Sequence, residues 1–143
     1  MSFPIRSHYE RIGGAGAVRA LVERFYALMD TLPEAAPIRG MHAPDLALSI
    51  DKLYEFLSGW LGGPQLYVEK YGHPKLRARH LRVRIGASER DQWMLCMRRA
   101  LEETVADPQL RRELGDALAR VAEHMRNDGP LPGGMQITGG NGR

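Results

Sequence analysis

Apolar residues recur at spacings of three and four along almost the whole chain, and no run alternates apolar with polar for long enough to predict a strand. The pattern predicts an all-α protein. A short helical turn over His8 to Ile12 stops at Gly13-Gly14, and Val18, Leu21, Val22, Phe25, Tyr26 and Met29 then form one continuous stripe. Thr31-Leu32-Pro33 breaks that helix, a short turn is expected from Pro33 to about Arg39, and Pro44-Asp45 opens the next long element. Leu46, Ile50, Leu53, Phe56, Leu57 and Trp60 share one side of it before Gly62-Gly63-Pro64 ends it.

Beyond that break the reading is a connector with Leu66 and Tyr67, then a helix with Pro74 in its first turn that ends near His80. Ser88 with Asp91 three residues later reads as a capping box for a helix through Trp93, Met97, Ala100, Leu101 and Val105. Asp107-Pro108 opens the last helix, marked by Leu110, Leu114, Leu118, Val121 and Met125. The Gly- and Pro-rich stretch 128–143 reads as a disordered tail, so the expected organisation is one domain over 1–127 plus that tail.

Composition changes this picture little. A chain of 143 residues that is 43% hydrophobic can build one core but not two. Its longest apolar runs are far shorter than a bilayer span, and MSFPIRSHYE lacks the apolar stretch of a signal peptide, so a soluble cytoplasmic protein is expected. The single cysteine, Cys96, excludes an internal disulfide and reads as a small buried apolar residue.

Charge says more by its placement than by its total of +3. Lys75, Arg77, Arg79, Arg82 and Arg84 crowd around His80, whereas Leu101 to Glu123 is mixed in sign and reads as solvated helix surface. Five histidines are dispersed and none stands in an HxxxH or HExxH spacing, which argues against zinc held by protein ligands alone. A porphyrin differs, because the macrocycle fills the equatorial positions and one imidazole suffices. On the residues alone His80 stays open between an iron ligand and an ordinary hydrogen-bonded histidine.

Several ordered motifs decide between them. RFYALMD at Arg24 to Asp30, MHAPDL at Met41 to Leu46, LGGPQLYVEKYGHPKLRARH ending at His80, and ERDQWMLCMRRA around Trp93 resemble the group II truncated haemoglobins over nearly the whole chain. The resemblance implies a two-over-two helical sandwich around haem b, with His80 as the proximal iron ligand. Dioxygen at a haem takes on partial negative charge, so a phenol O–H and an indole N–H suit the distal side. Tyr26 and Trp93 match those positions. His42 matches a third, with Met41 as its competitor, and Ser49 stands where other globins place a distal histidine but is too short to reach iron.

For the porphyrin faces the resemblance implies Phe25, Leu53, Phe56, Leu57, Trp93 and Met97, with Val83 and Ile85 on the proximal side. Arg79, Lys75 and Tyr67 are the candidates for the propionates. One departure stands out. Where many relatives carry a small residue, Pro and an aromatic after the proximal histidine, this chain has Leu81-Arg82-Val83-Arg84.

The function implied is binding of O2, CO or NO, with slow release of O2. The alternative is an enzyme for nitric oxide dioxygenation or peroxidase-like detoxification at the same site, which needs an unidentified external reductase because no reductase domain fits. A basic nucleic-acid module is the third reading, and it requires the arginines around His80 to be free of propionates. Neither nucleic acid nor membrane is an expected partner, and a monomer or homodimer is.

Overall fold

The computed structural model describes residues 6–80 and 83–128, apart from the side chains of Arg77 and Arg79. Among these residues all regular structure is helical: α1 (His8–Ile12), α2 (Ala15–Thr31), a 3-10 turn (Pro33–Ala35), α3 (Ala36–Arg39), α4 (Ala47–Trp60), α5 (Leu66–Tyr71), α6 (Leu76–Arg79), α7 (Ala87–Thr104) and α8 (Pro108–His124). Helix α2 packs on α4, α7 packs on α8, and α2 lies against α7, so two helix pairs are stacked one over the other.

The stripe predicted for α2 buries Val18, Leu21, Val22, Phe25, Tyr26, Leu28 and Met29. They meet a core completed by Met97, Ala100 and Leu101 of α7 and by Leu110, Leu114 and Leu118 of α8. Cys96 is fully buried, as a small apolar residue should be. The sequence rule for helix starts holds at α8, where the Asp107 carboxylate accepts from the Gln109 N–H at 3.0 Å. A reciprocal box that the sequence reading passed over caps α1. The Ser7 hydroxyl accepts from the Glu10 N–H at 3.1 Å, and the Glu10 carboxylate accepts from the Ser7 N–H at 3.0 Å.

The double glycine after α4 has two separate reasons. Gly62 has φ +97°, the left-handed region, and a Cβ at Gly63 would run into the Tyr9 ring. The bend therefore lets α1 lie across the end of α4, where the Tyr9 N–H donates to the Leu61 carbonyl at 2.9 Å. Ser58, the one buried polar residue among those described, donates to the Pro64 carbonyl at 2.7 Å and closes the same turn.

Four local expectations are corrected. The connector at Leu66–Tyr71 is a helix, α5, too short to display a helical period but anchored by the buried Tyr67. Pro74 lies before α6 rather than within its first turn, because Lys75 adopts φ +48° and the helix begins only at Leu76. Ser88 does not cap α7. Gly86 does, with its N–H donating to Glu89 at 2.7 Å, while the Ser88 hydroxyl accepts from Gln92 at 2.9 Å. Finally, α4 begins at Ala47, whose N–H is held by the Asp45 carboxylate at 2.9 Å. The predicted tail falls outside the described residues from 129 onward.

Candidate functional site

Helix α6 is a single turn, and its first carbonyl, that of Leu76, fixes the histidine that follows. The His80 ring places Nδ1 2.8 Å from the Leu76 carbonyl four residues back. A carbonyl only accepts, so this contact puts the ring hydrogen on Nδ1 and leaves the Nε2 lone pair for another partner. His80 is exposed, and its backbone N–H also donates to Leu76 at 3.2 Å. A histidine oriented through one nitrogen with the other left basic has the chemistry of a metal ligand.

A chain of aromatic rings runs through the other side of the fold. Trp93 on α7 lies 5.1 Å from Phe25, Phe25 meets Tyr26 edge to face at 4.9 Å, and Tyr26 meets His42 at 5.7 Å. Spacing on α2 creates this order, since Phe25 and Tyr26 are adjacent and both turned inward. The His42 ring is held by the Ile38 carbonyl at 2.8 Å from Nδ1, while Met41 is turned to solvent. His42, not Met41, therefore stands beside Tyr26.

Burial pushes the Tyr26 phenol up to about 12, so it stays neutral and keeps its proton across the whole physiological range. Among the described residues neither its hydroxyl nor the Trp93 indole N–H donates to a protein acceptor. Two uncommitted donors thus flank Phe25 within the ring chain. Ser49 is half-buried on α4.

Helix α4 supplies the apolar wall. Ile50, Leu53, Tyr54, Phe56 and Trp60 remain half-buried, and only Leu57 and Ser58 are buried outright. Phe25, Leu57 and Met97, at 0–1% exposure, belong to the packed core. Leu53, Phe56, Trp93, Val83 and Ile85 do offer surface.

Between the end of α4, α6 and α8 lies a cavity of about 380 Å³ lined by Trp60, Leu76, Ala117, Arg120, Val121, His124 and Met125. A second, of about 290 Å³, runs beside Phe56, Trp60, Tyr67, His73 and Pro74. Trp60, Leu76, Val121 and Met125 were not expected at a site. The sequence shows Trp60, Val121 and Met125 as parts of helical stripes, and a stripe does not disclose whether it faces core or cleft.

The propionate candidates are placed unequally. Lys75 is exposed beside His73, whose Nδ1 accepts from the Lys75 N–H at 3.2 Å. Tyr67 is buried, with its ring edge to face on Phe56 at 6.3 Å and tilted on Tyr71 at 4.7 Å. The Arg79 side chain, Leu81 and Arg82 lie outside the described residues. No group of three His, Cys, Asp or Glu residues among those described is arranged to hold a metal ion, so an iron site here depends on a cofactor that supplies most of the ligands.

Comparison with known proteins agrees with this geometry. Residues 7–127 match the family model described as bacterial-like globin. The chain is 38% identical over 119 residues to a group 2 truncated hemoglobin of Bacillus subtilis (strain 168), which covers 83% of this chain and 87% of that protein. Among solved structures, the group II 2-on-2 hemoglobin of Agrobacterium tumefaciens superposes with a TM-score of 0.84 at 53% identity, covering 89% of this chain and 98% of the other. A cold-adapted truncated hemoglobin from the Antarctic marine bacterium Pseudoalteromonas haloplanktis gives 0.85 at 43% identity, covering 87% and 100%. The stacked helix pairs and these likenesses over nearly the full chain make it a member of the group II truncated haemoglobins, a globin family that implies a haem cofactor and a diatomic ligand.

Proposed function

We propose that this chain binds haem b through His80 and holds a diatomic ligand against Tyr26 and Trp93, releasing dioxygen slowly. The observation that carries the reading is an exposed His80 imidazole oriented through Nδ1, in a chain whose Tyr26 and Trp93 donors make no hydrogen bond to the protein among the described residues. The residues fit the group. A flat apolar macrocycle needs apolar surface that the protein leaves incompletely covered, and the half-buried faces of Leu53, Phe56, Trp93, Val83 and Ile85 provide it.

Haem b, held by His80, would supply an iron able to bind O2, CO or NO. The chain does the rest. Leu76 orients the His80 imidazole, and its hydrogen bond leaves the Nε2 lone pair available. Tyr26 and Trp93 donate to a ligand that accumulates negative charge, and His42 keeps the Tyr26 ring in place by packing against it. Lys75 and Tyr67 would hold the propionates, and the Tyr67 ring also packs edge to face on Phe56.

Absorption spectra of the purified ferric, ferrous and CO-bound forms test the reading. A histidine-ligated haem spectrum that responds to CO is expected. A colourless protein that takes up no haemin would overturn it.

A further inference from the structure

The segment that follows His80 is pinned from a distance by a residue beyond the end of α8. Asn127 uses its whole amide for this. Its Nδ2 donates to the Val83 carbonyl at 2.7 Å and to the His80 carbonyl at 3.3 Å, and its Oδ1 accepts from the Ile85 N–H at 2.8 Å. Its backbone N–H donates to the Ile85 carbonyl at 2.9 Å. Carboxamides combine two donors and an acceptor on one planar group, so neither a carboxylate nor a hydroxyl of the same reach could replace all three side-chain bonds.

Position explains why such a clamp is needed. A single-turn helix such as α6 has little stability of its own, since nucleation costs outweigh the few hydrogen bonds gained. Hydrogen bonds from Asn127 reach the backbone at His80, Val83 and Ile85. The His80 carbonyl receives both Asn127 and the Val83 N–H, the latter at 3.2 Å. Residues 85–86 and 127–128 run side by side closely enough that a Cβ at Gly86 would approach the Asp128 carboxylate to 2.9 Å.

We propose that Asn127 is a positioning residue for the His80 ligand: Leu76 fixes the imidazole and Asn127 fixes the backbone behind it, coupling the end of α8 to the iron–histidine bond. This rests on the reading of His80 as the haem ligand. Hydrogen-bonding partners one step removed from a metal ligand are worth about 10-fold or more in metal retention.

The test uses the haem-loaded full chain with Asn127→Ala and Asn127→Asp, the second keeping the acceptor for Ile85 but losing both donors. Resonance Raman of the ferrous ligand-free protein reads the iron–imidazole stretch, and transfer to excess haem acceptor reads haem loss. Both variants should shift or broaden the stretch and lose haem about 10-fold faster. Leu114→Ala, a core change on α8, should lower thermal stability while leaving the stretch in place. Should Asn127→Ala not fold, Asn127→Asp carries the same test.

A parental stretch and parental haem loss in the folded Asn127 variants would overturn the clamp, whatever their melting temperatures. A His80→Ala protein that keeps the stretch would overturn the ligand assignment and this inference with it.

Discussion

Two helices of similar length and similar apolar content are used in opposite ways. Seven of the 17 residues of α2 are buried, whereas only two of the 14 in α4 are, although α4 carries Ile50, Leu53, Tyr54, Phe56, Leu57 and Trp60. One helix spends its apolar face on the protein's own core, against α7 and α8. The other holds an apolar face half open, next to a one-turn helix and its oriented histidine. The difference lies in how each side is held: α2 and α7 are braced by side-chain packing, while the α4–α6 side has hydrogen bonds at Ser58, Leu76 and Asn127 and leaves apolar surface half open.

The sharpest way to break that contrast is a pair of truncations. Phe25→Ala, at a fully buried site, should cost about 3–5 kcal/mol of folding stability. Leu53→Ala removes less buried surface and should cost only about 1 kcal/mol in the haem-free chain, yet speed haem loss from the loaded one. Urea unfolding with and without haem measures both. Equal losses at the two sites would erase the distinction.

A smaller effect separates the donors from the packing around them. Trp93→Phe and Tyr26→Phe each delete one hydrogen-bond donor while keeping most of the apolar volume, so each should raise the dioxygen dissociation rate about 10-fold. Stopped-flow displacement by CO provides the rate. Unchanged rates in both would move the work of ligand retention to His42.

The smallest effect lies far from the site, where α1 docks on α8. Arg11 donates to Glu113 at 2.6 Å and His8 lies 3.2 Å from the same carboxylate. Arg11 holds Glu113 down to about 2, below its ordinary 4.5. A carboxylate with a depressed folded-state pKa contributes stability above its unfolded value and loses it as pH falls from about 4.5 toward 2. Because the pair is partly exposed, the effect is modest and weakened by salt. Glu113→Gln should therefore melt slightly below the parent at neutral pH and together with it near pH 2. A gap that persists in acid would rule out the ion pair as its source.

Much of the fold was legible because long helices advertise themselves. The stripe from Val18 to Met29 and the stop at Gly62-Gly63 needed only periodicity and backbone geometry. What stayed hidden was short or relational. Six residues are too few to reveal α5, and Lys75 in the left-handed region displaced the start of α6 where proline alone suggested otherwise.

The motifs around Tyr26, His80 and Trp93, the proposed site residues, were readable as a family resemblance because their order along the chain is distinctive. Asn127 was not, since its importance lies in backbone groups 42–47 residues away that no local pattern marks. Nor could periodicity tell that Leu57 belongs to the packed core while Leu53, four residues earlier, stays half-buried.

The central claim is that one side chain on the loosely packed side holds the cofactor. Its most direct test is the electronic and resonance Raman spectrum of ferrous His80→Ala, with and without added imidazole. The account predicts that the iron–imidazole stretch and stable haem retention disappear in the variant and that exogenous imidazole restores the stretch. A variant that keeps a parental histidine-ligated spectrum without added imidazole would contradict it.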